Sequence, residues 1–140
     1  MGINKILIQQ RLLMLKGYIQ QLEGLADTDK EEFCQDSIKA AAAESYLRRA
    51  LEVVFDIGRH ILAKSGFPDL AMEYKSIARG LAQQDIVPED LGRKLMQMAG
   101  YRNRMVHLYH RVTEEELYEI ISNDLGDFRV FAASIQQFLS

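Results

Sequence analysis

The chain has 140 residues, 48% hydrophobic and 26% charged, with a formal net charge of −3 and one cysteine, Cys34. That length suits a single domain, residues 1–140, with one core. The acidic balance argues against a general nucleic-acid binder, and the lone cysteine excludes an internal disulfide. No apolar run approaches the roughly 18 residues of a membrane span.

The N-terminal stretch "MGINKILIQQRLL" lacks a signal-peptide layout, and Ile6 stands where a myristoylation signal wants Ser or Thr. A soluble, cytoplasmic protein is expected. The first helix is predicted over about residues 4–23, with Leu15, Tyr18, Leu22 and Leu25 three or four apart. A capping box, Thr28 with Glu31, opens a second helix that meets no breaker before about Lys64, where Gly66 and Pro68 end it. Leu47, Leu51, Val54, Gly58, Ile61 and Leu62 share one face of it. Further apolar residues spread round its circumference, which predicts either a central position or a helix that faces both the core and a partner.

A short third helix is predicted over about residues 70–83, with Leu70, Tyr74, Ile77 and Leu81 in register. Pro88 suits the first position of a fourth, and Glu89 and Asp90 favour its positive end. Thr113 and Glu116 form another capping box, with Val112 and Leu117 as a staple, at the start of a last helix whose stripe runs from Leu117 to Leu139. No segment reads as a strand. The fold class is all-α, a bundle of four main helices plus one short helix.

The fourth helix carries "GYRNRMVHLYH", residues 100–110. Between Leu91 and Thr113 there is no acidic residue, while Arg93, Lys94, Arg102, Arg104 and Arg111 contribute +5, leaving −8 for the rest of the chain. Such a segment attracts phosphate, so Arg93, Lys94, Arg104 and Arg111 are candidate RNA contacts. At about 100° per residue, Leu95, Met98, Arg102, Val106 and Tyr109 fall within an arc of roughly 80°. Arg102 thus occupies the apolar stripe and requires a carboxylate, a phosphate or a solvated groove. Asn103 and His107, four apart, are expected on the adjacent flank with His110 beside them. Asp56 and His60 are read as a surface or dimer-face pair, with Asp56 a candidate partner for Arg102.

Asn103 and His107 have metal-ligand spacing but no third ligand, and no phosphate-cradling glycine loop or Ser-His-Asp arrangement is readable. No metal and no cofactor are expected. An arginine beside a histidine suits metal-free phosphodiester cleavage. Histidine exchanges a proton with an RNA 2′-hydroxyl or leaving oxygen near neutral pH, and arginine stabilises the added charge of the transition state. Two histidines fill the acid and base roles more easily, which a two-fold dimer would supply.

"RNRMVH", Arg102 to His107, continues to Tyr109 as R-x4-H-x-Y and resembles the HepT-like toxins of the HEPN superfamily. The surrounding "LMQMAGYRNRMVHLYHRV" and "DIGRHILAKSGFP" are similar too, and the resemblance covers essentially the whole chain. It implies a HEPN-type helical homodimer whose motifs meet in a cleft at or near the two-fold axis. The implied activity is metal-independent endoribonuclease cleavage of cellular RNA by a toxin of a toxin–antitoxin pair. The implied partner is an MntA-like minimal nucleotidyltransferase antitoxin that transfers AMP from ATP to the motif tyrosine. On this resemblance Arg102 and His107 are catalytic, Asn103 supports them, and Tyr109 is the modified residue. Two other readings stay open: a non-catalytic helical module that binds a nucleotidyltransferase and nucleotide or RNA, and a structural bundle in which Arg102 is internally paired.

Overall fold

The structure, a computed structural model, describes residues 2–107 and 112–140. Its helices are α1 (Lys5–Ala26), α2 (Lys30–Gln35), α3 (Ser37–Lys64), α4 (Tyr74–Gln83), α5 (Glu89–Val106), α6 (Glu114–Asn123) and α7 (Leu125–Leu139), with a 3₁₀ turn at Pro68–Ala71. No strand occurs among the described residues, as the sequence predicts. No helix among them is long and apolar enough to cross a membrane.

Three predicted helices are divided. The run expected from Thr28 to Lys64 breaks at Asp36, whose backbone is extended and whose carboxylate accepts from the amides of Ile38 and Lys39. A side chain that satisfies two orphan first-turn donors makes a new helix start there more favourable than continuity. The cap of α2 is Asp29, which accepts from the Glu32 amide at 2.8 Å, rather than the Thr28–Glu31 box. The third predicted helix becomes the 3₁₀ turn followed by α4, with Glu73 and Ser76 forming a capping box between them. The last predicted helix kinks at Asp124, the C-cap of α6 and N-cap of α7. The Thr113 cap stands, with its hydroxyl accepting from the Glu116 amide at 3.1 Å.

α3 is central, packing against α1, α2, α4, α5 and α6. Its predicted face, Leu47, Leu51, Val54, Gly58, Ile61 and Leu62, is buried throughout. Gly66, at φ +94°, ends it in the left-handed region that glycine adopts without steric cost, and the Phe67 amide returns to the Leu62 carbonyl at 2.8 Å.

Two glycines set how closely α4 approaches its neighbours. A Cβ on Gly58 of α3 would lie 2.7 Å from Ile77 Cγ2, and one on Gly92 of α5 would lie 2.6 Å from Ala82 Cβ. Their bare backbones let α4 settle against both α3 and α5, bringing Tyr74 at its start between them. His60 belongs to this framework, since its Nε2 accepts from the Asn4 amide at 3.0 Å and ties α3 to the start of α1. Burial, and secondarily the charge of Lys64, hold the His60 imidazole below its ordinary pKa, consistent with a ring that accepts a hydrogen bond in its neutral form.

Candidate functional site: a clamped arginine at the end of α5

Arg102 is buried down to 23% side-chain exposure, as its place on the apolar stripe predicts, and it has found a carboxylate. The partner is Glu52 of α3, one turn before Asp56. Arg102 Nε donates to Glu52 Oε1 at 2.6 Å. Asp56 instead accepts from Arg59 Nη1 at 2.7 Å. Glu52 and Asp56, four residues apart, share a flank of α3, and packing against α5 gives Arg102 to Glu52 and not to the expected Asp56.

The third element of the site is Tyr74. Its hydroxyl donates to Glu52 Oε2 at 3.1 Å, while Arg102 Cζ lies 4.0 Å from its ring centroid. Phe55 meets the same ring edge-on, with centroids 5.1 Å apart, and so limits its rotation. The guanidinium is therefore held at its Nε edge by a charge-assisted hydrogen bond and over the ring by a cation–π contact. Its terminal end makes a long contact, Nη1 to Asn103 Oδ1 at 3.5 Å. Nothing in the sequence marks Glu52 or Tyr74 for this role. The available signal was the need of Arg102 for a carboxylate, but their separations in sequence from it gave no way to choose one.

His107 departs from its predicted setting. α5 ends at Val106, and His107 is the C-cap, with extended backbone and its amide donating to the Arg104 carbonyl at 3.3 Å. Its side chain is exposed. His107 thus lies one residue past the helix that carries Asn103, not inside it. Tyr109, His110 and Arg111 lie outside the described residues.

Three arginines of the basic segment are matched by carboxylates, Arg102 and Arg104 from other helices and Arg93 from its own. Arg104 makes a bidentate pair with Glu116 of α6, at 2.5 and 2.7 Å. Arg93 pairs with Asp90 at 2.7 Å, roughly 14 Å along the axis from Arg102. Lys94 is close enough to Asp124 to lower its pKa, against the larger upward push of burial and Asp127 on that carboxyl. For Arg102 and Arg104, part of the local surplus in sequence is thus paired in space by carboxylates of α3 and α6 that fold against it.

No group of three or more His, Cys, Asp or Glu among the described residues could hold a metal ion. A groove of about 430 Å³ between α1 and α7, lined partly by Leu12, Ile19, Phe128 and Arg129, contains none of the motif residues.

A sequence model described as "Ribonuclease HepT-like" matches residues 15–135. The chain is 21% identical over 138 residues to a tRNA nuclease HepT of Aphanizomenon flos-aquae, covering 99% of this chain and 93% of that relative. It is 29% identical over 131 residues to an mRNA nuclease HepT of Shewanella oneidensis, covering 92% and 91%. Among solved structures it is similar to the tri-AMPylated Shewanella oneidensis HEPN toxin in complex with MNT antitoxin, with a TM-score of 0.84, 26% identity and coverage of 96% of this chain and 99% of that one.

Proposed function

The chain belongs to the HepT-like ribonuclease family, and from that premise we propose that it is the toxin of a toxin–antitoxin pair, a metal-independent endoribonuclease acting on cellular RNA in the cytoplasm. The observation that carries this reading is the clamped Arg102, whose Nε edge is anchored to Glu52 while its terminal end makes only a long contact to Asn103 and is the edge that meets a phosphate. A guanidinium fixed before the reaction stabilises charge as it develops on the phosphoryl oxygens, without reorganising.

His107 takes the proton of the 2′-hydroxyl. The 2′ oxygen attacks phosphorus and the bond from phosphorus to the 5′ oxygen breaks, leaving a 2′,3′-cyclic phosphate. The departing 5′ oxygen receives a proton from the equivalent imidazole of a second copy, across the cleft of a two-fold homodimer. The exposed position of His107 beyond the helix suits a group that must meet substrate from two protomers. Asn103 supports the Arg102 terminus, and Arg93, Lys94, Arg104 and Arg111 hold flanking phosphates.

The partner is an MntA-like nucleotidyltransferase, a reading supported by the AMPylated, antitoxin-bound state of the Shewanella oneidensis toxin. On this chain the acceptor is Tyr109. Its hydroxyl oxygen attacks the α-phosphorus of ATP, releasing pyrophosphate. The added AMP places negative charge and bulk two residues from His107, where RNA phosphate would otherwise sit.

The internal Arg102–Glu52 pair is the feature expected of a purely structural bundle without RNA affinity, and a module that binds RNA or nucleotide without chemistry is the third reading. One experiment separates them. His107→Ala is expected to lower RNA cleavage by at least about 10²-fold, leave the fold unchanged and abolish growth inhibition. Cleavage by the wild type should continue in a metal chelator, and intact mass after co-expression with the antitoxin should rise by AMP increments. Equal cleavage by the mutant would remove His107 from the mechanism, and RNA bound but never shortened by the wild type would leave the binding module.

A further inference from the structure

The ring of Tyr74 carries a second guanidinium. Arg59 Cζ lies 5.4 Å from its centroid, against 4.0 Å for Arg102. Both arginines are tied by one nitrogen to a carboxylate of α3, and those carboxylates, Glu52 and Asp56, stand one turn apart. The arrangement is a repeated unit, in which two acid–arginine pairs share one aromatic platform. The guanidinium carbons can be no further apart than the two ring distances together, a separation that successive phosphates of a single strand can span.

We propose that Arg59 is a second phosphate-binding residue, taking an RNA backbone phosphate next to the one presented to Arg102. The inference deepens the ribonuclease reading and rests on it for the identity of the strand. Three features support it. The Arg59 side chain keeps 38% of its surface exposed although its guanidinium is anchored, so it meets solvent in a fixed pose. Anchoring takes only part of a five-donor group, leaving further N–H donors for phosphate. A pre-positioned planar fork loses less freedom on binding than a free lysine would. Asp56 offsets the charge of Arg59, so the subsite works by geometry at short range rather than by long-range attraction. That is also why a charge count along the sequence passes over it.

The test uses the full chain and a 2′-O-methyl RNA oligonucleotide, which offers no 2′-hydroxyl and resists this cleavage. Binding is measured by fluorescence anisotropy across a salt series. Arg59→Ala should weaken binding roughly three- to tenfold and reduce the slope of log affinity against log salt by about 0.7. Arg59→Lys should keep the slope, because it keeps the charge. Arg129→Ala, which removes the same charge from α7, should leave the slope as in the wild type, and thermal melting of each variant reports its folding separately. An Arg59→Ala slope equal to that of Arg129→Ala overturns the subsite, as does a wild type that binds no oligonucleotide. A wild type that cleaves no unmodified RNA while Arg59→Ala still loses slope overturns the ribonuclease reading and leaves the subsite standing.

Discussion

The two ends of α5 carry the same residue type in opposite circumstances. At the start, Arg93 pairs within its own helix to Asp90, and both side chains are mostly exposed, at 67% and 92%. At the end, Arg102 pairs across 50 residues to α3 with 23% and 35% exposure, and Arg104 pairs to α6. A local exposed pair is screened and easily replaced by water, and contributes about 0.3–0.5 kcal/mol. A cross-helix pair at reduced exposure fixes a side chain relative to two backbones, and removing one member strands the other. The start of α5 is held instead by packing, through the contact of Gly92 with Ala82. One end of the helix is anchored by shape and the other by charge. The charged end is the one that carries the proposed site.

Breaking the charged end should have the largest effect. Glu52→Ala removes the acceptor for Arg102 Nε and leaves that guanidinium with the Tyr74 ring alone. Single-turnover cleavage is expected to fall roughly 10²-fold, since misplacing a positioned group by about 1 Å costs that much. Glu52→Gln, which keeps an oxygen acceptor, should restore much of the rate. If Glu52→Ala also lowers cleavage in an Arg102→Ala background, Glu52 does not act through the arginine.

Breaking the packed end should damage stability first. Gly92→Ala places a methyl 2.6 Å from Ala82 Cβ, an atom with no rotamer to give way. The expected cost is about 1–3 kcal/mol, read as a lower urea midpoint, despite the better helix propensity of alanine. A midpoint at or above that of the wild type would mean that the two helices are not in close contact there. The smallest effect belongs to Arg93→Ala, which should change stability by no more than about 0.5 kcal/mol. A larger loss would show that the exposed pair counts for more than its setting implies.

The same contrast explains what the sequence made legible. The start of α5 and the cap at Thr113 depend on neighbours within a turn, so the sequence places both to within a residue: Pro88 is the N-cap of α5 and not its first helical position, and Thr113 caps α6. Arg102 could be recognised as a residue in need of a partner, because its periodicity conflicts with its charge. Its partner could not be chosen, since only tertiary packing distinguishes Glu52 from Asp56. The breaks at Asp36 and Asp124 were missed for a related reason. An aspartate inside a helical run is compatible with either a solvated face or a new cap, and the surrounding apolar residues suited both. The end of α5 before His107 left no such mark, as "RNRMVHLYH" contains neither glycine nor proline.

The Arg102 clamp also has a temporal side. Its members arrive from the ribosome in the order Glu52, Tyr74, Arg102, each on a different helix. Chains emerge at about 5–20 residues per second, so the acid and its aromatic platform are waiting for seconds before the arginine is made. Until then the Glu52 carboxylate and the Tyr74 ring lack the guanidinium they hold in the folded chain. The two helices that supply the partners of the arginine are thus made before the helix that carries it.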